Sequence, residues 1–217
     1  MTLLDFATGP ALTVALAVFL LGTLWRLLGA LFLRRRFDLS APRVDGAWKG
    51  GVRTIFTRFW SHPEFRGTTV AQMTMSYLFH IGLFVVVFLF VPHIEFIEGL
   101  AGLSWPGLPN DVVLAAGVVT VAVAVALLVR RLTHPVLRMV SNADDYISLV
   151  VTVLPVLTGL MAFTHFGMRY ETLLGLHVLS VDLLLIWFPF GKLMHAVLFV
   201  PSRAQMGAAF ARRGIKA

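Results

Sequence analysis

The chain has 217 residues, of which 58% are hydrophobic and 13% are charged, and its mean hydropathy is +0.85. A soluble domain carries roughly 45–50% apolar and about 25% charged residues, so the composition excludes an ordinary water-soluble domain as well as a disordered chain. The sequence has no cysteine. That excludes disulfides, cysteine-ligated iron–sulfur clusters, thiolate zinc sites and covalent c-type haem attachment.

Five apolar segments are each long enough to cross a membrane, because a helix needs about 20 mostly apolar residues to span the hydrocarbon core. In chain order they cover residues 11–32, 71–91, 112–129, 146–165 and 173–200. The first is not expected to be a cleavable signal peptide, since its basic residues follow the apolar run. The sequence predicts an all-α integral membrane protein with five transmembrane helices in a single domain, residues 1–217.

The net charge of +7 is distributed unevenly between the connecting segments. Basic residues concentrate in the loop of residues 34–70, after the third span and after the fifth, whereas the opposite loops hold Arg169 and four acidic residues. The positive-inside rule then places the N-terminus outside and the C-terminus in the cytoplasm, so nucleic acid is not needed to explain the charge. The inner loop, 34–70, is either a connector on the inner membrane surface or a docking platform for a cytoplasmic partner.

Histidines carry the most informative pattern. His80, His177 and His195 lie within the predicted spans, where ionisable groups are costly and usually functional. His177 and His195 are 18 residues apart. On one straight helix this is about five turns, which puts both on one face about 27 Å apart. Two imidazoles in that arrangement are suited to be axial ligands of two stacked haems, each of which takes a second ligand from a facing helix.

The second span supplies those partners. His80 lies roughly 13 Å from the inner end, at the level of His195, and His93 lies at the outer end, at the level of His177. We therefore expect an inner pair, His80 with His195, and an outer pair, His93 with His177. On a straight helix His93 is rotated by about 140° from His80, unless Pro92 kinks or ends the helix. The alternative to a haem ligand at this position is an interfacial histidine.

Other polar and small residues lie near these histidines. Four basic residues at the inner boundary pair with haem propionates or snorkel to lipid phosphates: Arg26, Arg130, Arg131 and Lys192. Three glycines allow the close approach of a macrocycle or of a neighbouring helix: Gly82, Gly175 and Gly191. Asp182, within the fifth span, either relays protons or bonds a neighbouring helix, and the sequence favours the helix bond.

Several short motifs together suggest a family. They are Phe19-Leu20-Leu21-Gly22 with Trp25-Arg26, Leu78-Phe79-His80-Ile81-Gly82, Arg130-Arg131-Leu132 with Pro135 and Arg138, Asp145, Leu176-His177, and Phe188-Pro189-Phe190-Gly191-Lys192-Leu193-Met194-His195. With them the chain resembles, over nearly its whole length, the cytochrome b (gamma) subunit of respiratory nitrate reductase. It is more similar still to the relatives that accompany heterodisulfide-reductase-like iron–sulfur proteins.

The resemblance implies two b-type haems and electron exchange between the quinone pool and a cytoplasm-facing iron–sulfur partner, in a bacterial or archaeal cytoplasmic membrane. It matches His80 and His195 to the inner haem and His177 to the outer haem. The family pattern expects a fourth histidine where this chain has Phe90. Either His93 replaces it, or the chain holds only one haem, or it holds an outer haem with weaker ligation. The rival reading is a non-haem membrane anchor or small transporter subunit.

Overall fold

The computed structural model describes residues 1–32, 41–61 and 63–215, and these form helices and no strand. The α-helices are α1 (Leu3–Phe6), α2 (Leu12–Phe32), α3 (Ala47–Thr57), α4 (Arg66–Phe88), α5 (Val91–Ala101), α6 (Asn110–Thr133), α7 (Pro135–Val140), α8 (Ala143–Phe163), α9 (Tyr170–Trp187) and α10 (His195–Arg212). Short 3-10 turns cover Pro63–Phe65 and Lys192–Met194, and a π-helical turn, Ala7–Ala11, joins α1 to α2.

Five of the described helices are long and apolar enough to cross a membrane. They are Leu3–Phe32, which combines α1, the π-turn and α2, and then α4, α6, α8 and α9. This confirms the prediction of an all-α chain with five such helices. The first begins earlier than the sequence suggested, and the fifth ends at Trp187 rather than at residue 200.

The membrane helices pack in a row. Helix α4 packs on α6, α6 on α8, α8 on α9, and α9 on α2. Small side chains permit the close contacts: a Cβ added at Gly82 of α4 meets Thr120 of α6, and Thr120 is fully buried. Among the described helices, α4 makes no extensive contact with α9 or α2. The face of α4 that does not pack on α6 is therefore left open by the helix packing.

Helix α4 ends at Phe88, and the chain turns before α5. Phe90 has an extended backbone (φ −86°, ψ 123°), and a proline occupies the first turn of α5. Proline suits that position because the first amides of a helix have no intrahelical acceptor. The second span, expected to continue to residue 91, is therefore broken. The sequence analysis allowed for this outcome, since Pro92 can kink or end a helix. The rotation of about 140° that a straight helix would impose on His93 no longer applies.

A second break divides the predicted fifth span. Helix α9 ends at Trp187, the amide of Gly191 donates to the carbonyl of Trp187 (3.1 Å), and α10 begins only at His195. Pro189 has no amide hydrogen to continue the helical hydrogen bonds. The prediction that His177 and His195 share one face of a continuous helix is therefore wrong, since they lie on separate helices.

The inner loop predicted at residues 34–70 contains helix α3, which packs along α10. The contact uses small residues on both helices. A Cβ added at Gly51 lies 2.6 Å from the carbonyl oxygen of Ala204, and one added at Gly207 lies 2.5 Å from that of Gly50. Arg203 of α10 donates to the carbonyl of Ile55 (3.2 Å). Helices α3 and α10 thus form a close pair next to the membrane helices.

Replacement of Gly207 by alanine tests this pair. Gly207→Ala forces a Cβ against backbone of α3, so we expect the free energy of unfolding in detergent to fall by about 1–3 kcal/mol. The matched control is Gly99→Ala in α5, where an added Cβ meets nothing within 4 Å. The control is expected to change stability by less than about 1 kcal/mol, toward greater stability. Equal effects at both positions would contradict the close contact.

Candidate functional site: two histidine pairs

The structure brings His80 and His195 together. His80 lies on α4, and His195 is the first residue of α10. Their ring centroids are 6.0 Å apart and their planes are nearly perpendicular, at 84°. The inner pair predicted from the sequence is therefore adjacent in the fold, although the two residues come from helices that do not pack extensively on one another.

His93 and His177 form a second pair. Their ring centroids are 5.9 Å apart, with an angle of 11° between the planes. His93 lies in the first turn of α5 and His177 in α9. The break between α4 and α5 allows this approach, because it frees His93 from the helical path of His80.

All four imidazoles are held by the same ring nitrogen. Each Nδ1 contacts a backbone carbonyl oxygen: His80 with Ser76 (2.6 Å), His195 with Lys192 (2.8 Å), His93 with Val86 (2.9 Å) and His177 with Pro155 (3.1 Å). A carbonyl oxygen only accepts a hydrogen bond, so Nδ1 carries the proton in each ring. The lone pair is then on Nε2, as in metal-binding histidines whose other nitrogen is bonded to a carbonyl.

The spacing within each pair suits two imidazoles on one metal ion. A bond from a metal to an imidazole nitrogen is about 2 Å, and the nitrogen lies about 1 Å from the ring centre, so two opposed rings have centroids about 6 Å apart. The observed 6.0 and 5.9 Å agree with this value. Rings in direct face-to-face contact would lie closer.

The number of protein ligands restricts the kind of metal centre. In the part of the chain that the structure describes, no three residues of His, Asp or Glu group as a metal site. A structural zinc site takes four protein ligands, whereas a haem iron needs only its axial ligands from the protein. Two separate imidazole pairs therefore fit haem iron better than a metal ion bound by protein alone.

The surroundings of the two pairs differ. His93 and His177 are half-buried, whereas His80 and His195 are exposed on the chain. Burial lowers the pKa of His93 below its ordinary value, although hydrogen bonds to the carbonyls of Val86 and Val87 oppose the shift. His93 is therefore neutral at pH 7, which is the form that binds metal.

The relationship to a known protein covers the whole chain. A protein from Nitratidesulfovibrio vulgaris is 34% identical over 220 aligned positions, which include 96% of this chain and 94% of the relative. The chain belongs to the same family as this protein. The relative carries only the name "Protein", which states no activity. No family model matches the chain.

A cavity of about 420 Å³ adjoins His195. Arg26, Lys192 and Arg203 line it together with this histidine, so cationic side chains lie beside His195. Lys192 is already engaged, because its Nζ lies 2.5 Å from a carboxylate oxygen of Asp145. Four basic residues were predicted to pair with an anionic group: Arg26, Arg130, Arg131 and Lys192. The structure gives two of them, Lys192 and Arg131, a protein partner in Asp145.

A polar network fixes the turn before His195, and the sequence revealed only part of it. The carboxylate of Asp144 accepts from the backbone amide of Lys192 (3.1 Å) and from the hydroxyl of Ser148 (2.7 Å). Ser148 in turn accepts from the indole of Trp187 (3.0 Å). Asp145, placed in the family motifs, also pairs with Arg131 (3.0 Å). The network links α6, α8 and α9 to the 3-10 turn that precedes α10.

The glycines singled out from the sequence serve helix packing. A Cβ added at Gly175 meets Leu3 at 3.1 Å, and one added at Gly191 meets Trp187 and Asp144. The glycine that faces a ligand candidate is Gly159, where an added Cβ lies 3.1 Å from Cε1 of His177. Sequence reasoning missed it because it lies on α8, 18 residues before His177.

Phe90, at the position where the family pattern expects a histidine, packs on the outer pair. Its ring centroid lies 5.1 Å from that of His93 and 5.8 Å from that of Phe163.

The remaining histidines have other surroundings. His165 stacks on Tyr170 (5.0 Å), His134 is exposed, and His62 lies outside the described residues. Neither His134 nor His165 joins a histidine pair.

Thiol crosslinking tests the two pairings directly, because the chain has no cysteine of its own. We expect a short bifunctional thiol reagent to crosslink the double variant His80→Cys/His195→Cys and the double variant His93→Cys/His177→Cys. The mismatched control is His80→Cys/His177→Cys. Ten residues of α9, about 15 Å, separate His177 from the end of its helix, so this pair should not react. Efficient crosslinking of the mismatched variant would contradict the arrangement.

Proposed function

We propose that the chain is a membrane cytochrome b subunit of a respiratory complex. In this proposal it relays electrons between the quinone pool and a cytoplasm-facing iron–sulfur partner. The observation that carries the proposal is the presence of two imidazole pairs with centroids 6.0 and 5.9 Å apart, each ring bonded through Nδ1. Two such pairs supply the axial ligands of two b-type haems.

The donor set fits haem. His80 and His195 are assigned to one haem, and His93 and His177 to the other. All four Nε2 atoms are free of the carbonyl bonds that hold Nδ1, and neutral imidazole is the usual axial ligand of a b-type haem. A haem held by these residues would supply one-electron redox chemistry.

The packing of the helices also favours a flat cofactor between them. His80 on α4 faces His195 of α10, yet α4 packs extensively only on α6 among the described membrane helices. If side-chain packing alone held α4 against the helix of its partner histidine, we would expect extensive contacts between those two helices. The packing of α4 therefore supports the assignment of His80 as an axial ligand.

Charge around the inner pair suits the propionate groups of a haem. Arg26 lines the cavity beside His195, and we assign it to a propionate because opposite charges attract strongly where water is scarce. Lys192 contributes less, since Asp145 already neutralises it. Arg203 lies over the ring of Phe59 at 4.8 Å and stabilises the α3–α10 pair.

The distribution of basic residues supports the orientation of the relay across the membrane. With the N-terminus outside and the C-terminus in the cytoplasm, His93 and His177 belong to the outer haem and His80 and His195 to the inner haem. Quinol or quinone exchanges electrons with the protein from within the membrane, and the iron–sulfur partner accepts or donates electrons at the inner face. We place the complex in a bacterial or archaeal cytoplasmic membrane.

The inner face of the chain has a surface suited to a protein partner. Helix α3 and the residues that follow it expose Trp48 (67%), Phe56 (70%) and Trp60 (68%), with Lys49 and Arg53 between them. Tryptophan and arginine are enriched where proteins bind one another tightly. Because the chain has no cysteine, the iron–sulfur cluster must belong to that partner.

Haem content tests the proposal. We expect the purified protein to be red, to show a reduced-minus-oxidised b-type spectrum and to contain two haems per chain. His80→Ala and His93→Ala should each lower the ratio from two to one, because each removes one axial ligand. His134→Ala is the control, since this exposed histidine joins neither pair, and it should keep both haems. A colourless, folded protein would refute the proposal in favour of a non-haem anchor or transporter subunit.

Asp144 is expected to act as a positioning residue for His195. Asp144→Ala removes the acceptor for the amide of Lys192, and we expect haem affinity at the inner pair to fall by about 10–100-fold, as for other supporting residues of metal ligands. Asp144→Asn keeps a carbonyl acceptor and should retain most of the affinity. Haem titration, followed by the spectrum of the inner haem, measures the difference. Identical losses in both variants would exclude this positioning role.

A further inference from the structure

Helix α4 ends at Phe88, and the carbonyl groups around this end bind donors from later in the chain. In any α-helix the last four carbonyls have no intrahelical amide to bind. Here three donors compensate. Nδ1 of His93 bonds to the carbonyl of Val86 (2.9 Å), the indole of Trp105 to that of Phe88 (2.5 Å) and the amide of Leu108 to that of Leu89 (2.8 Å).

Residues 103–109, which we call the return segment, supply two of these three donors. The segment follows α5 and comes back to the end of α4 before α6 begins. Gly102 starts the reversal with a left-handed backbone (φ 70°), which glycine adopts without steric cost. A Cβ added at Gly107 would lie 2.7 Å from a methyl carbon of Val91 and 3.2 Å from the carbonyl oxygen of Leu89. The return segment therefore packs directly on the break between α4 and α5.

Trp105 provides the side-chain contact of the return segment. Its ring is half-buried, and an indole nitrogen can only donate, so it needs an acceptor such as a free carbonyl. The carbonyls of Phe88 and Leu89 directly precede Phe90, whose extended backbone takes the chain out of the helical path. The indole and the amide of Leu108 thus fix the two peptide groups at the break.

The position of His93 depends on this break. On a continuous helix His93, seven residues after Val86, would lie about 10.5 Å further along the axis, too far for its Nδ1 to reach that carbonyl. In the structure the two atoms are 2.9 Å apart, and the ring of His93 faces that of His177. The break therefore allows His93 to take the place of the histidine that the family pattern expects at Phe90.

We propose that the return segment is a ligand-positioning element. The indole of Trp105 and the amide of Leu108 fix the break after α4 and thereby hold His93 opposite His177. Trp105 acts through the backbone and His93 and is a positioning residue for the outer haem. This inference rests on the proposed function in naming haem as the ligand, whereas the contacts that lead from Trp105 to His93 do not depend on it.

Titration of the full-length chain with haem b tests the element at each pair separately. The His80→Ala background keeps the outer pair complete, and the His93→Ala background keeps the inner pair. Trp105→Phe retains an apolar ring but loses the donor, and we expect haem affinity at the outer pair to fall by about 10–100-fold. Gly107→Ala pushes the return segment off the break while keeping the indole, and it should act in the same direction.

The inner pair and a second tryptophan are the controls. Both variants should bind haem at the inner pair with unchanged affinity, which also shows that they are folded. Trp25→Phe alters an indole that is exposed on α2 (67%), and it should leave both affinities unchanged. In the loaded chain, Trp105→Phe should also shift the electron paramagnetic resonance signal of the outer haem alone, because that signal depends on the angle between the axial imidazole planes.

Thiol crosslinking provides a readout without haem. We expect Trp105→Phe to slow the crosslinking of His93→Cys/His177→Cys several-fold and to leave that of His80→Cys/His195→Cys unchanged. Unchanged haem affinity at the outer pair in both Trp105→Phe and Gly107→Ala overturns the positioning role and keeps the proposed function. With a colourless wild type the crosslinking decides: selective slowing keeps the positioning role and refutes the proposed function, whereas unchanged rates refute both.

Discussion

Each of four imidazoles is bonded to a backbone carbonyl through Nδ1, and much of the remaining structure serves to bring these rings into two facing pairs. A carbonyl contact fixes both the orientation of a ring and the position of its proton, and it leaves the lone pair on Nε2. A straight five-helix bundle would not achieve this arrangement. The chain has to leave the helical path after α4 and again after α9, and both breaks occur close to a histidine.

The second break is the more heavily supported of the two. It follows α9, and there Asp144 accepts the amide of Lys192 and Asp145 pairs with Lys192 and Arg131. A turn between two apolar helices exposes amides that have no helical acceptor, and carboxylates at the start of α8 supply the acceptors. The polar groups thus compensate for the lost helical hydrogen bonds and set the position of His195 at the same time.

The two sides of α9 have different surroundings. One side carries His177 against Gly159 and His93, in a half-buried setting. The other carries Asp182, which is buried beside an apolar groove against the first membrane helix. The two residues lie on different sides because successive residues point in different directions around a helix axis. Packing of α9 between α8 and α2 holds both sides in place.

The sequence by itself determined the number and approximate position of the apolar helices, since these depend on local composition. It also determined which histidines pair, because His80 and His195, and His93 and His177, fall at matching depths when antiparallel spans are aligned. It did not determine how they meet: a continuous fifth helix was predicted, and the chain instead breaks around Pro189. The support from Asp144, the contact of Gly159 with His177 and the burial of Asp182 all depend on residues far apart in sequence. Only the tertiary structure decides such contacts, because helical periodicity specifies the face of a residue but not the side chain that will oppose it.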